Sequence, residues 1–234
     1  LFRLYASWKV DFVKVDDLSS PYSLGEIEGY RKAIGKCGQK MVLSLSPGPT
    51  PVENGRHVSD QANMWRLLGD LWDDWAQVDA AFRTITDWLP FQGPNHWPDL
   101  DMLPMGRLRK FGPPTGPANS DSRLTDDESQ SMFTLWCIAK CPLMFGGNLP
   151  DTSAKTLSLI TNPEVLEVNQ NSLDNHALAN GTKPIWVAGT PDADVKYVAF
   201  FNRTNAPAPV VLRLSDLGAK SCNVRDLWSR KDLA

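Results

Sequence analysis

Residues 10–17 read VDFVKVDD, a stretch in which apolar and charged side chains alternate. Successive side chains on a β-strand point to opposite faces, so Lys14 and Asp16 share one face while Val13 and Val15 share the other. In a parallel barrel, helices cover the outer face of the strands, and the inner face turns polar at the carboxyl ends, where active sites lie. The pattern therefore makes Lys14 and Asp16 candidate catalytic residues. A solvated edge strand is the alternative that periodicity leaves open.

Strand-like and helix-like segments alternate around this stretch. Besides the strand over residues 9–16, the patterns predict strands over residues 41–46, 100–103 and 143–145 and helices over residues 25–35, 76–88 and 151–160. Thr125 and Glu128 have the spacing of a capping box and predict a further helix that Pro142 ends. A long loop over residues 106–123 precedes this helix and is typical of a functional loop. Alternation of this kind favours a parallel sheet covered by helices.

The last quarter of the chain has a different composition and hydrophobic pattern. Short β-rich runs cover residues 184–188, 195–202, 209–214 and 223–228, and clusters of Gly, Pro, Asn and Asp separate them. We therefore predict two domains, an α/β domain over residues 1–172 and a small antiparallel β domain over residues 173–234.

Composition excludes several classes of function. The chain has 234 residues with 42% hydrophobic and 22% charged side chains, as in ordinary globular proteins. A net charge of -3 provides no basic surface for a nucleic acid or an anionic membrane. No apolar run comes close to the length of about 20 residues that a membrane span needs. Nine tryptophans are an excess that suits sugar binding, because pyranose rings pack on aromatic faces, although most such rings belong to cores.

Two further stretches carry acidic residues. In residues 64–75, MWRLLGDLWDDW, Arg66 and Asp70 would form an ion pair on a helix, but Gly69 favours a strand that ends and turns there, so that Asp70 follows the strand. Partial desolvation beside aromatic rings would raise the pKa of such a carboxyl, as a general acid requires. In residues 95–103, NHWPDLDML, Asp99 and Asp101 alternate with apolar residues. Two carboxylates without a convincing third ligand are weak evidence for a metal ion, and binding of hydroxyl groups by carboxylates explains the same residues without an ion.

Other catalytic arrangements lack support. The three histidines are scattered, and no serine or cysteine lies in a nucleophile elbow, so a hydrolase triad is not indicated. The four cysteines lack zinc-site spacing. A barrel enzyme for phosphorylated substrates remains an alternative, but only Gly146-Gly147 could contribute to a phosphate loop.

The three acidic stretches resemble, in order, segments of glycoside hydrolase family 27, the α-galactosidase and α-N-acetylgalactosaminidase group. VDFVKVDD is similar to the family's D-x-x-K-x-D strand, WRLLGDLWDDW to its arginine-to-aspartate segment, and HWPDLDML to its W-N-D-P-D-M-L segment. The resemblance extends to about residue 170, and the β-rich tail resembles the family's C-terminal domain. It implies the C-terminal part of a (β/α)8 TIM barrel, with strands resembling the fourth to the eighth, followed by a small antiparallel β-sandwich domain.

The resemblance also implies a retaining glycosidase that cleaves terminal α-D-galactosyl or closely related residues. Asp16 stands at the nucleophile position and Asp70 at the acid/base position, while substrate contacts are implied for five residues: Lys14, Ser46, Arg66, Asp101 and Met102. Neither a metal ion nor an organic cofactor is implied. The expected partner is a carbohydrate, either a galactoside or an oligo- or polysaccharide side chain.

Departures from the family pattern leave alternatives open. Ser46-Pro47 stands where galactosidases carry Glu-Trp, so contact with the 2-substituent of the sugar should differ, and an arabinopyranoside or an N-acetylgalactosaminide is an alternative substrate. Leu18 replaces a family cysteine.

A full barrel needs about 250 residues, so we expect a fragment that alone is inactive or folds poorly. A non-catalytic carbohydrate-binding protein is the alternative function. An extracytoplasmic location is expected, and the oligomeric state is open.

Overall fold

The structure, a computed structural model, describes residues 1–108 and 120–233, and contacts between residues divide the chain into two units. The first unit contains residues 1–72 and 76–102. The second contains residues 73–75 and the chain from residue 103 onward. Most of the loop predicted to be functional, residues 109–119, lies outside the described residues.

A four-stranded parallel sheet organises the first unit. Its strands are β1 (Phe12–Val15), β2 (Val42–Leu45), β3 (Met64–Arg66) and β4 (Trp97–Asp99), in the order β1-β2-β3-β4. The helices are α1 (Phe2–Ser7), α2 (Leu24–Gly35), α3 (Gly55–Gln61) and α4 (Trp75–Trp88), with 3-10 turns at Val52–Asn54 and Leu89–Phe91. The helices between successive strands make the parallel connections possible, because a parallel pair needs a crossover.

The core of the first unit follows the spacing of apolar residues. Helix α4 buries the side chains at i, i+3, i+4, i+7 and i+10, which are Val78, Ala81, Phe82, Ile85 and Trp88. Trp65 on β3 is fully buried, and its ring centroid lies 5.9 Å from that of Trp88. The helix therefore covers the strands with one apolar stripe, as period 3.6 predicts.

Helices and short strands begin the second unit. It contains β5 (Arg107–Leu108), β6 (Ser120–Asp121), α5 (Asp126–Ile138), α6 (Ala154–Ile160) and α7 (Pro163–Asn171), with a 3-10 turn at Leu149–Asp151. The predicted capping box is present: Thr125 Oγ1 accepts from Glu128 N at 3.3 Å, and Glu128 Oε2 accepts from Thr125 N at 2.7 Å. Leu103 and Phe145 form an isolated parallel bridge.

Antiparallel strands complete the second unit. β7 (Leu173–Ala179), β8 (Ile185–Gly189) and β9 (Lys196–Phe200) form one sheet with β8 in the centre, and β10 (Val224–Asp226) pairs with β11 (Lys231–Leu233). A 3-10 turn covers Leu214–Leu217. Central β8 is almost wholly buried, including Trp186. No helix in the described residues is long and apolar enough to cross a membrane.

Four predicted segments differ from the structure. The strand predicted over residues 100–103 lies earlier, at Trp97–Asp99, because Asp101 has a left-handed backbone with φ 82°. Residues 143–145 form only the bridge at Phe145. The helix predicted to reach Pro142 ends at Ile138, before Lys140 with φ 53°. Residues 209–214 contain no strand before the 3-10 turn.

Candidate active site

One row across the parallel sheet contains several of the predicted site residues. Arg66 pairs in register with Asp99, and the preceding row aligns Val15, Leu45 and Trp65. Extending that register by one residue places Asp16 and Ser46 beside Arg66, at the carboxyl ends of β1 and β2. Ser46 N donates to Val15 O at 2.9 Å, which continues the parallel hydrogen-bond pattern. Lys14 lies two residues before Asp16 and shares its face, as predicted.

Arg66 links the row to the loop that follows β3. Its side chain is 2% exposed, and Nη2 lies 2.7 Å from Asp101 Oδ2 and 3.4 Å from Asp70 Oδ1. The same nitrogen donates to the carbonyl oxygens of Gly69 at 2.7 Å and Leu68 at 3.3 Å. A single buried guanidinium therefore brings two of the predicted acidic residues together.

Asp70 follows β3, as Gly69 led us to expect, but its environment is different from the prediction. Its side chain is 74% exposed, so the desolvation expected to favour its protonated form is absent. Arg66 Nη2 approaches Asp70 Oδ1 at 3.4 Å but leaves most of the carboxylate open to solvent.

Asp99 is the site residue whose importance the sequence did not reveal. It is 4% exposed, and its Oδ1 accepts from Asp101 N at 2.8 Å. Burial raises the pKa of Asp99 to about 6, although the Asp101 N–H and the positive charges of Arg66 and Lys14 lower it. In the sequence, Asp99 and Asp101 alternate with apolar residues, and this pattern was the signal that could have pointed to Asp99. The pattern does not indicate which of the two carboxyl groups is more deeply buried.

Asp101 and Met102 follow β4 and have contrasting environments. Asp101 is 6% exposed, and besides Arg66 it binds Leu71 N, which donates to Oδ2 at 2.7 Å. Met102 is 45% exposed. A charge fixed beside an exposed apolar side chain suits a ligand with both hydroxyl and C–H surfaces.

The loop after Ser46 packs closely on the loop after Arg66. Ser46 is buried, and its carbonyl oxygen accepts from Leu18 N at 3.3 Å. A Cβ on Gly48 would lie 2.1 Å from Leu68 O, so only glycine fits there. Thr50 donates to Arg66 O through both N, at 3.0 Å, and Oγ1, at 2.7 Å. These contacts fix the backbone around Arg66.

The structure gives no geometric evidence for a metal ion. Within residues 1–108 and 120–233, no group of three or more His, Cys, Asp and Glu side chains could hold one. That no metal or cofactor takes part stays a prediction.

Comparison with known proteins gives the family. A family model described as alpha galactosidase A matches residues 2–171, and one described as the alpha galactosidase C-terminal beta sandwich domain matches residues 180–234. The chain belongs to glycoside hydrolase family 27. The resemblance seen in the sequence is thereby confirmed, and so is the fold class, part of a (β/α)8 barrel followed by a C-terminal β-sandwich domain.

Named relatives of this family 27 chain differ in substrate. Alpha-galactosidase 3 from Arabidopsis thaliana is 29% identical over 98% of this chain and 52% of its own length. The alpha-N-acetylgalactosaminidase of Mus musculus is 32% identical over 72% of this chain and 40% of its own. A solved family 27 β-L-arabinopyranosidase from Geobacillus stearothermophilus is 41% identical, with a TM-score of 0.95 over 100% of this chain and 55% of that chain. The chain spans about half the length of the curated relatives it matches.

Proposed function

We propose that the chain carries the catalytic aspartates of a retaining glycosidase that removes terminal α-D-galactosyl or closely related residues from carbohydrates. The observation that carries this proposal is the row formed by Asp16, Ser46 and Arg66 together with the contact from Arg66 to Asp70. Membership of family 27 supports it.

The arrangement suits double displacement by Asp16 and Asp70. Neighbouring strands lie about 4.8 Å apart, so the Cα atoms of Asp16 and Arg66, two strands apart, are about 10 Å from each other. The side chain of Arg66 reaches away from its strand to Asp70, and the carboxylate of Asp16 is exposed. Retaining glycosidases need two carboxyl groups about 5–5.5 Å apart. The proposal therefore requires the carboxyl groups of Asp16 and Asp70 to meet this separation.

The reaction would proceed in two steps. The Asp16 carboxylate attacks the anomeric carbon, the glycosidic C–O bond breaks, and Asp70 gives its proton to the departing oxygen. Asp70, now a carboxylate, takes a proton from water, whose oxygen attacks the anomeric carbon and releases Asp16 as a carboxylate. Neither step requires a metal ion or an organic cofactor.

The remaining predicted residues would hold the sugar. Asp101, fixed by Arg66 and Leu71 N, can accept hydrogen bonds from hydroxyls, and Lys14 can donate to them. Met102 offers an apolar surface to a C–H face. Ser46, which is buried, replaces the Glu-Trp pair of galactosidases, so the contact with the 2-substituent would differ from theirs.

Trapping the covalent intermediate tests the proposal. An activated fluorinated galactosyl fluoride should add one glycosyl group to the full-length protein, and peptide mass spectrometry should locate it on Asp16. Asp16→Asn should abolish labelling, and Asp70→Asn should slow turnover of a substrate with a poor leaving group far more than one with a good leaving group. Sugar binding without labelling or turnover would support the non-catalytic carbohydrate-binding alternative, and labelling elsewhere would contradict the assignment of Asp16.

A β-L-arabinopyranoside is the second candidate substrate. The observation in its favour is the 41% identity and 0.95 TM-score shared with the Geobacillus stearothermophilus β-L-arabinopyranosidase. Arabinopyranose has the ring configuration of galactose without the hydroxymethyl group, so the same aspartates could process either sugar. Comparing kcat/KM for the aryl α-D-galactoside, β-L-arabinopyranoside and α-N-acetylgalactosaminide assigns the substrate, and the highest value decides.

The place of action follows from the proposed substrate. Enzymes that trim sugar polymers meet their substrates mostly outside the cytoplasm, and we therefore propose an extracytoplasmic location. Fractionation of the native host, with the activity found only in the cytoplasm, would contradict it.

A further inference from the structure

Trp228 belongs to the second unit, which contains none of the proposed catalytic residues. It lies in the turn between β10 and β11, where its Nε1 donates to Thr134 Oγ1 on α5 at 3.1 Å. Its ring centroid lies 6.2 Å from that of Phe133 on the same helix. These two contacts hold a half-buried indole ring in one orientation.

Two further contacts fix the hairpin that carries Trp228. Arg225 forms a bidentate pair with Glu164 on α7, with distances of 2.9 Å from Nε to Oε2 and 2.7 Å from Nη2 to Oε1. Asn162 Nδ2 donates to Leu227 O at 2.9 Å. Because the turn is fastened to the helices, the ring is ordered without a ligand, which lowers the entropic cost of binding one.

A cavity of about 460 Å³ lies beside this ring, and we call it the Trp228 cavity. Helices α5 and α6 contribute polar side chains to its wall, among them Ser129, Gln130 and Thr156. Small-molecule sites usually have volumes of about 300–1,000 Å³ and combine aromatic surface with a few polar groups. The cavity therefore has the size for a ligand of a few rings.

The charges that line the Trp228 cavity balance. Asp121 and Asp126 supply two negative charges, and Lys155 and Arg230 supply two positive charges. Lys155 pairs with Asp126, and Asp121 pairs with Arg107 at 3.4 Å. An anion would meet as much repulsion as attraction there, so a neutral ligand rich in hydroxyl groups fits better.

We propose that the Trp228 cavity is a second carbohydrate site, which binds a galactosyl oligosaccharide with one sugar ring stacked on Trp228 and hydroxyls bound by Gln130 and its polar neighbours. The choice of a galactosyl ligand rests on the proposed function. A site of this kind would retain a branched substrate by a second point of attachment.

The test follows the Trp228 indole by NMR during titration with raffinose, an α-galactosyl derivative of sucrose. The background is Asp16→Asn, so that the sugar is not consumed, and Trp228→Ala assigns the Trp228 cross-peak. Raffinose should move this cross-peak in a saturable way. Gln130→Ala should weaken binding about ten-fold, because one hydrogen bond is lost from an exposed side chain that the core does not need.

Two controls make the outcome decisive. Trp8→Ala removes a tryptophan of the first unit that is 62% exposed, and this change should leave the Trp228 titration unchanged. Sucrose lacks the galactosyl unit and should bind at least ten-fold more weakly than raffinose. A cross-peak that does not move, an unchanged titration in Gln130→Ala, or equal binding of sucrose overturns the proposal.

Failure of the proposed function would be recognised separately. If raffinose moves the Trp228 cross-peak but the full-length wild-type protein is not labelled on Asp16, the second site stands and the proposed catalysis fails. If Asp16 is labelled but the Trp228 cross-peak does not move, the proposed catalysis stands and the second site fails.

Discussion

Arg66 concentrates more of the candidate site's contacts than any other side chain named in it. Its guanidinium contacts the carboxylates of Asp70 and Asp101. It also donates to two backbone carbonyls of its own loop and is almost fully buried. The energetic value of such a residue lies in what is left behind when it is removed. Without the guanidinium, the 6% exposed Asp101 would be a buried charge that has lost its 2.7 Å ion pair.

Arg66→Ala should lower the free energy of unfolding by about 3–5 kcal/mol, the usual cost of breaking a buried ion pair. Urea denaturation of the wild type and the variant measures this difference. The matched control is Arg56→Ala, which removes the surface pair with Asp60 at 3.2 Å, where the side chains are 85% and 51% exposed. That change should have little effect. Similar losses for the two variants would show that Arg66 is not held as described.

Asp99 makes stability depend on pH in an unusual direction. Its folded-state pKa of about 6 lies above the ordinary value of 3.8, so between these values the folded chain binds more protons at Asp99 than the unfolded chain does. Stability contributed by this group therefore falls as the pH rises from about 4 to 6. A difference of about two pKa units corresponds to about 3 kcal/mol.

Asp99→Asn imitates the protonated carboxyl and should remove this dependence. The stability of the variant relative to the wild type should rise between pH 4 and 7 by up to about 3 kcal/mol, which chemical denaturation at several pH values measures. Asp87→Asn alters an exposed carboxyl on α4 and serves as the control. If the difference between Asp99→Asn and the wild type does not change with pH, the burial of Asp99 is not as the structure shows.

At the scale of an element, the loop after β1 is fastened by side-chain contacts. Tyr22 in this loop places its hydroxyl 2.6 Å from His57 Nδ1 on α3, and His57 Nε2 lies 3.4 Å from Glu28 Oε1 on α2. Burial raises the pKa of Tyr22 to about 12, so the hydroxyl keeps its proton and can donate to His57 Nδ1. The loop is thereby linked to both helices.

Tyr22→Phe should cost about 1–3 kcal/mol, since His57 Nδ1 loses a partner in a partly buried position. Hydrogen exchange should also show weaker protection in residues 17–23, where Ser23 N donates to Leu18 O at 2.9 Å. Tyr30→Phe is the matched control, because it removes a hydroxyl from a ring that packs at 5.8 Å on Phe2. Equal effects of the two substitutions would argue against a specific role for the Tyr22 hydroxyl.

The elements that the sequence predicted well are those with local causes. The alternation in β1, the stripe of α4 and the capping box of α5 all depend on residues a few positions apart. By contrast, β7 begins within a stretch of turn-like composition, because pairing with the buried β8 outweighs local preference. The strand predicted over residues 209–214 is the opposite case. This run is rich in residues that favour strands, but the structure has no strand there.

At the level of the whole molecule, the candidate site also combines features with local causes and features that depend on distant parts of the chain. Motifs in the sequence singled out Asp16 and Asp70, the family resemblance added Arg66 and Asp101, and the structure places Arg66 against Asp70 and Asp101. Which carboxyl is buried and which is exposed depends on loops that approach from elsewhere in the chain, such as the close approach of Gly48 to Leu68. Spacing along one strand contains no information about that approach.

The division into two units predicts how the whole chain opens. Trp186 is fully buried in central β8, whereas Trp65 is fully buried in β3 of the first unit, so each unit has its own buried aromatic core. Trp186→Phe shrinks only the second of these cores and should cost about 1–3 kcal/mol there. Native-state hydrogen exchange should show reduced protection in β7, β8 and β9 while β2 and β3 keep theirs. Trp65→Phe should give the reverse pattern. If either variant lowers protection equally in both sets of strands, the chain opens as one cooperative body and the two units are not separate foldons.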